Sequence, residues 1–127
     1  MPGNKITTFT DLEAWKQGHV LVLEIYRLTK LFPKDELFAL VSQMRRAAVS
    51  VTSNISEGFS RGTFRDKAYF YSIALGSLTE LQNQLYVARD LNYLSTDKFK
   101  TIYEQTVKVH KLINGLIKYS KSRVLNT

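Results

Sequence analysis

Apolar residues recur along this chain at intervals of three and four, and that rhythm predicts helices rather than strands. Four segments carry it. The first sets Leu12, Trp15, His19, Val22 and Tyr26 in a seam, and the second sets Phe38, Val41, Met44, Ala48, Val51, Ile55 and Phe59. The third aligns Phe70, Ala74, Ser77, Leu81, Leu85, Ala88 and Leu91, and the fourth Ile102, Thr106, Val109, Ile113 and Leu116. A spacing near 3.5 residues packs helices about 20° from antiparallel.

Local signals bound the segments. Thr10-Asp11-Leu12-Glu13 reads as a capping box opening the first helix, which must end before Pro33. Asp35 and Glu36 suit the positive end of the second helix, and Gly58 or Gly62 supplies a left-handed stop. Thr63 to Asp66 opens the third helix, and Ser95-Thr96-Asp97 caps the fourth, which gives way to a polar tail after about residue 120. The expected helices span about 10–31, 35–60, 63–92 and 96–120, with connections short enough to make neighbours antiparallel. The expected fold is therefore all-α, an antiparallel up-down four-helix bundle forming one domain over residues 1–127.

The first helix carries a second apolar row. Leu21, Ile25, Leu28 and Phe32 lie about 130° around from the seam, and the charged residues Glu13, Lys16, Glu24 and Arg27 occupy what remains. A surface helix needs an apolar stripe only somewhat over 100° wide. Those four residues are the expected oligomer interface, unless termini or a loop cover them.

A polar row runs beside the apolar seam of the second helix: Gln43, Arg46, Ser50, Asn54, Glu57 and Arg61. The third helix carries Ser72, Gly76, Glu80 and Asn83 at matching spacing. If the rows face each other, Glu80 pairs with Arg46 or Arg45, and Ser50 and Asn54 complete a hydrogen-bonded network. The alternative is a ligand pocket built from the same groups. Arg45 and Arg46 differ by about 100° in direction, so at most one points inward.

Composition narrows the functional classes. The 127 residues carry a formal charge of +7 and no cysteine. Residues 95–127 hold seven basic and two acidic groups, against eight and six in residues 1–62. Within the fourth helix Lys100, Lys108, Lys111 and Lys118 fall within about 80° of one another, with Lys121 close by and Arg123 extending the run. Such a ridge suits phosphate, although a solvated outer face has the same composition. The nucleic-acid-binding candidates are those five lysines with Arg45, Arg61 and Arg65. The chain offers no groove-reading motif and no aromatic interleaving along the ridge.

Other chemistry finds little support. His19 and His110 lie on different helices, no Glu-x-x-His pair exists, and Gly58 to Gly62 lacks the lysine and length of a phosphate loop. His19 reads as a hydrogen-bonded core or interface residue. No catalytic, metal or cofactor site is expected. No apolar run is long enough to cross a bilayer, and the opening residues lack a signal peptide's apolar stretch. With the absence of cysteine, a cytoplasmic protein without a membrane partner is the expectation.

Trp15, Ile25-Tyr26, Phe32-Pro33, Gln43-x-Arg45-Arg46-Ala47-Ala48, Ser50, Asn54-Ile55-x-Glu57-Gly58 and Ala74-x-Gly76-Ser77-x-x-Glu80-Leu81 together form a recognisable pattern. It resembles the bacterial four-helix-bundle family encoded in intervening sequences of 23S ribosomal RNA genes, over about residues 9 to 120. The resemblance implies an up-down bundle that assembles into a homopentameric ring. The chain is also similar to the accessory protein of diversity-generating retroelements, a basic pentamer that engages nucleic acid and a reverse transcriptase, though no retroelement-specific feature is present. The expected function is that of a non-enzymatic, ring-forming bundle that contacts RNA or DNA. The alternatives are a protein-interaction scaffold without nucleic-acid binding, or a small-molecule binder at Arg46 and Glu80.

Overall fold

The structure, a computed structural model, describes residues 5–124. Its four long helices are α1 (Glu13–Thr29), α2 (Ser42–Ser60), α3 (Phe64–Asp90) and α4 (Thr96–Ser122), with no strand among the described residues. Cross-helix partners run in opposite senses. Arg46 meets Glu80 and Ser50 meets Ser77 across α2 and α3, Gln82 meets Thr106 and Phe64 meets Tyr119 across α3 and α4, and Gln105 bonds Gln17 across α4 and α1. Arg45 reaches Thr29, whereas Thr52, about two turns further along α2, lies against Gly18, so α1 and α2 are antiparallel as well. The expected all-α up-down bundle is the fold.

The ends of the helices follow local chemistry that differs in places from expectation. The Thr10–Glu13 box does not form. A 3-10 turn at Phe9–Asp11 precedes α1 instead, and the Asp11 carboxylate accepts from the Thr7 and Thr8 amides at 2.9 and 3.0 Å. Those amides, with the Thr7 hydroxyl, hold the Asp11 carboxyl below its ordinary value. Glu13 turns to Gln17 at 2.8 Å. Thr63 and Ser95 do cap α3 and α4, their hydroxyls accepting from the Asp66 and Lys98 amides at 3.2 and 3.1 Å. α4 runs two residues past its expected end, and the rest of the polar tail, residues 125–127, lies outside the described residues, as do residues 1–4 at the expected leaderless start.

The entry to α2 is irregular. A 3-10 turn at Lys34–Glu36 leads into a π turn at Leu37–Val41. A π turn widens the helix by one residue, which shifts every side chain before it relative to those after. Phe38 was expected in the core seam; the shift leaves it 91 % exposed. Glu36 anchors the turn, accepting the Leu40 amide at 3.3 Å and the Tyr93 hydroxyl at 2.7 Å. The Tyr93 ring also packs against buried Phe32 at 5.3 Å, so the α3–α4 connection closes this end of the core.

The largest correction concerns α1. Leu21, Ile25 and Phe32 are buried inside the chain's own core and Leu28 is half-buried, so this row is not a free interface. The reason is the size of its neighbours. Ala14 and Gly18 continue the same row, and a Cβ at Gly18 would stand 3.0 Å from Thr52. α1 closes on α2 along its smallest residues, which turns His19 and Tyr26 outward and leaves Trp15 half-buried at the edge of the core. The apolar residues of α1 and the turn after it that remain exposed are Val20, Leu23, Tyr26 and Leu31.

Gly58 also departs from expectation. It lies within helical α2, and among the described residues no glycine has positive φ. Its function is clearance: a Cβ there would meet the buried Tyr71 ring at 2.7 Å and Phe70 Cβ at 3.2 Å. Gly76, by contrast, faces open space. Gly58→Ala is expected to destabilise the fold by about 1–3 kcal/mol through overpacking, while Gly76→Ala stabilises by about 0.5–1 kcal/mol through helix propensity. Chemical denaturation of both variants checks the opposed signs, and a neutral Gly58→Ala contradicts the tight seam.

Candidate functional site

The two polar rows do face each other across α2 and α3. Arg46 Nη2 lies 2.7 Å from Glu80 Oε2 and 3.0 Å from Gln43 Oε1, and Gln84 donates to the same Glu80 oxygen at 3.1 Å. The Ser50 and Ser77 hydroxyls are 2.8 Å apart, and Asn54 donates to the Ser50 carbonyl at 2.9 Å. Glu57 stands apart from this chain of bonds, paired with Arg61 at 2.8 Å. The network lies on the surface, its Arg46 and Glu80 side chains 57 % and 40 % exposed. Two of these contacts, Arg46–Glu80 and Ser50–Ser77, cross between the helices and give α2 and α3 a fixed register.

Arg45 points the other way. Its Nε donates to the Thr29 hydroxyl at 3.0 Å, and its guanidinium lies 4.6 Å from the Tyr26 ring centroid. Thr29 in turn donates to the Ile25 carbonyl at 2.7 Å. Arg45 thus clasps the C-terminal turn of α1, where the helix dipole favours a cation. This candidate for anion contact is committed to an intramolecular bond. Beside it an open groove between α1 and α2 presents Tyr26, Leu37, Phe38 and Val49, all exposed apolar side chains.

The α4 ridge is exposed as expected: Lys100, Lys108, Lys111, Lys118 and Lys121 all reach solvent. It is not purely basic. Glu104 projects from the same face and shares a shallow depression with Glu13, Lys108 and Lys111. A denser concentration of cations lies at one end of the bundle, where α2 stops, α3 begins and α4 finishes. Arg65 and Lys121 border one depression there with Tyr69 and Ser72. Arg61 stacks on Phe70 at 4.4 Å, and Arg123 lies 5.7 and 5.8 Å from the Phe64 and Tyr119 rings. Lys67 is different: it donates to the Phe59 carbonyl at 2.6 Å, and burial lowers its ammonium pKa. The sequence separates Tyr69 from Tyr119 by most of two helices. Antiparallel pairing of α3 and α4 gathers aromatics among these cations, apart from the lysine ridge along which none were expected.

The histidines do not converge. His19 is exposed and stacks on Trp15 at 4.7 Å, which removes the core placement among the two expected for it. His110 contacts Asn114 at 3.3 Å on α4. Among the described residues, no three histidine or carboxylate side chains gather as a metal site, and no helix is long and apolar enough to cross a membrane.

These features define a class: an all-helical bundle with a basic face and a separate exposed apolar groove. The 23S rRNA-intervening sequence protein family matches residues 10–115, and the chain belongs to that family. Its fold is similar to a crystal structure from Bacteroides thetaiotaomicron, described as a protein of unknown function from the S23 ribosomal protein family. The TM-score is 0.77 at 21 % identity, covering 83 % of this chain and 95 % of that one. No functionally curated protein matches the sequence.

An ion pair this exposed contributes little. A double-mutant cycle on Arg46→Ala and Glu80→Ala is expected to give a coupling of about 0.2–1 kcal/mol that fades with added salt. A salt-insensitive coupling of about 3 kcal/mol or more, measured by denaturation, would show a desolvated network instead.

Proposed function

We propose that the protein is a non-enzymatic, cytoplasmic subunit that assembles with copies of itself into a ring and binds nucleic-acid phosphate through its basic surface. The observation that carries this reading is the separation of the two surfaces. One set of exposed apolar side chains lies on α1 and the entry to α2, at Val20, Leu23, Tyr26, Leu37 and Phe38, while Tyr69, Ile73, Tyr86 and Val87 form another on α3. The lysines of α4 line a face directed away from the α1–α2 groove, because α4 packs against α1 and α3 and has no comparable contact with α2. Assembly through the first surface leaves the second free and repeated around the ring.

The interface moves relative to the sequence expectation, from the Leu21 row to the outward row that includes Leu23 and Tyr26. Burying each such side chain stabilises by on the order of 1.5–3 kcal/mol, a strong incentive for association at several positions at once. Five copies is the number the family resemblance supplies. A repeated basic face on each copy adds avidity without any new contact. No membrane, metal or cofactor enters the proposed function.

Native mass after nuclease treatment, combined with retention on immobilised RNA and DNA, tests both halves. Leu23→Glu with Phe38→Glu is expected to yield single 14.6 kDa subunits that stay helical. Lys108→Ala with Lys111→Ala and Lys118→Ala is expected to keep the assembly and weaken binding, the salt slope falling by roughly 0.7–0.9 per lost phosphate contact. Persistence of the full assembly in the first variant contradicts the proposed interface. An intact assembly of wild-type protein that retains no nucleic acid selects the protein-scaffold alternative.

A further inference from the structure

We infer that this end of the bundle carries two stacking positions for single-stranded nucleic acid, Tyr69 with Arg65 and Lys121, and Tyr119 with Arg123. This rests on the proposed nucleic-acid function and gives it a strand form and a location distinct from the lysine ridge.

The first reason is the state of the rings. Tyr69 and Tyr119 are 63 % and 56 % exposed, unusually open for large aromatics on regular helix. Tyr69 meets Phe70 at 5.3 Å and 84°, and Tyr119 meets Phe64 at 5.8 Å and 76°. Edge-to-face packing of this kind steadies each tyrosine ring, and although Arg123 lies over the Tyr119 ring both residues stay more than half exposed. Both rings sit on helices and so are held in place before any ligand arrives.

The second reason is the charge around them. Arg65 and Lys121 border the depression that holds Tyr69, and Arg123 lies beside Tyr119. None of these three cations forms an ion pair among the described residues, whereas nearby Arg61 is paired with Glu57. A purely apolar protein partner would leave these three cations unpaired. A polyanion whose flat bases alternate with phosphates uses both features. Duplex bases present no free faces, so the rings favour single strands; ring and cation together read base faces and phosphate, which RNA and DNA share.

Fluorescence anisotropy of labelled oligouridylate, oligothymidylate and a duplex, read across a salt series with the full chain, tests the site. Wild-type protein is expected to prefer both single strands over duplex. Tyr69→Ala with Tyr119→Ala is expected to weaken single-strand binding by roughly tenfold or more, with duplex binding and native mass unchanged. Tyr69→Phe with Tyr119→Phe is expected to restore it, since the ring and not the hydroxyl supplies the stacking. Arg65→Ala with Lys121→Ala is expected to lower the salt slope by about 1.4. Unchanged single-strand binding in the alanine pair, alongside a loss on replacing Lys108 and Lys111, overturns the stacking site while leaving the proposed function standing. A fall in native mass in the alanine pair assigns the rings to a subunit contact and also overturns it. Failure of wild-type protein to bind any of the three probes removes both.

Discussion

How closely two helices approach is set by the smallest side chains between them, and in this bundle those side chains decide which face of each helix becomes core. Gly58 clears space for Tyr71 where α2 and α3 meet, and Ala47, Ala48, Ala74 and Ala88 are all buried in the core. Gly18 does the same for α1, with Thr52 at van der Waals limit. Once the helices have closed along these positions, their bulky neighbours have no room inside. Tyr26 and Phe38 are left outward, and Trp15 at the edge of the core, because Ala14, Gly18 and the π turn direct other residues inward. The wet apolar surface is thus a geometric consequence of tight packing elsewhere.

The same constraint organises the polar surface. A fixed α2–α3 register lets Arg46, Gln43, Gln84 and Glu80 converge, and Ser50 meet Ser77. Exposure limits the stability these bonds provide, so their main effect is to hold alignment. A fixed α3–α4 register brings Phe64 to Tyr119 and sets the unpaired cations of one end around open rings. Surface chemistry follows from packing at both seams.

The helices, their order and their capping threonine and serine were legible from spacing and local motifs, because periodicity and cap chemistry act over a few residues. The pairing of Arg46 with Glu80 was legible as well, from matching rows on adjacent helices. The inward row of α1 was misread for a definable reason. Hydropathy weights Trp15 and Leu12 above Ala14 and Gly18, although close approach selects the small residues. Phe38 was lost to a π turn, which no seam-counting scheme registers. The aromatic and basic end was invisible because its parts come from two helices far apart in sequence, and the Arg45 clasp because it depends on where α1 ends.

The central claim is that packing completes one core and leaves two separate working surfaces, one for self-association and one for nucleic acid. Amide hydrogen exchange tests it most directly, comparing dilute, concentrated and oligonucleotide-bound protein. Concentration is expected to protect the outer turns of α1 and the entry to α2 around Phe38, and oligonucleotide to protect α4 along its lysine ridge and at its end, with the start of α3. Protection by both treatments at the same peptides, or by neither, would contradict it.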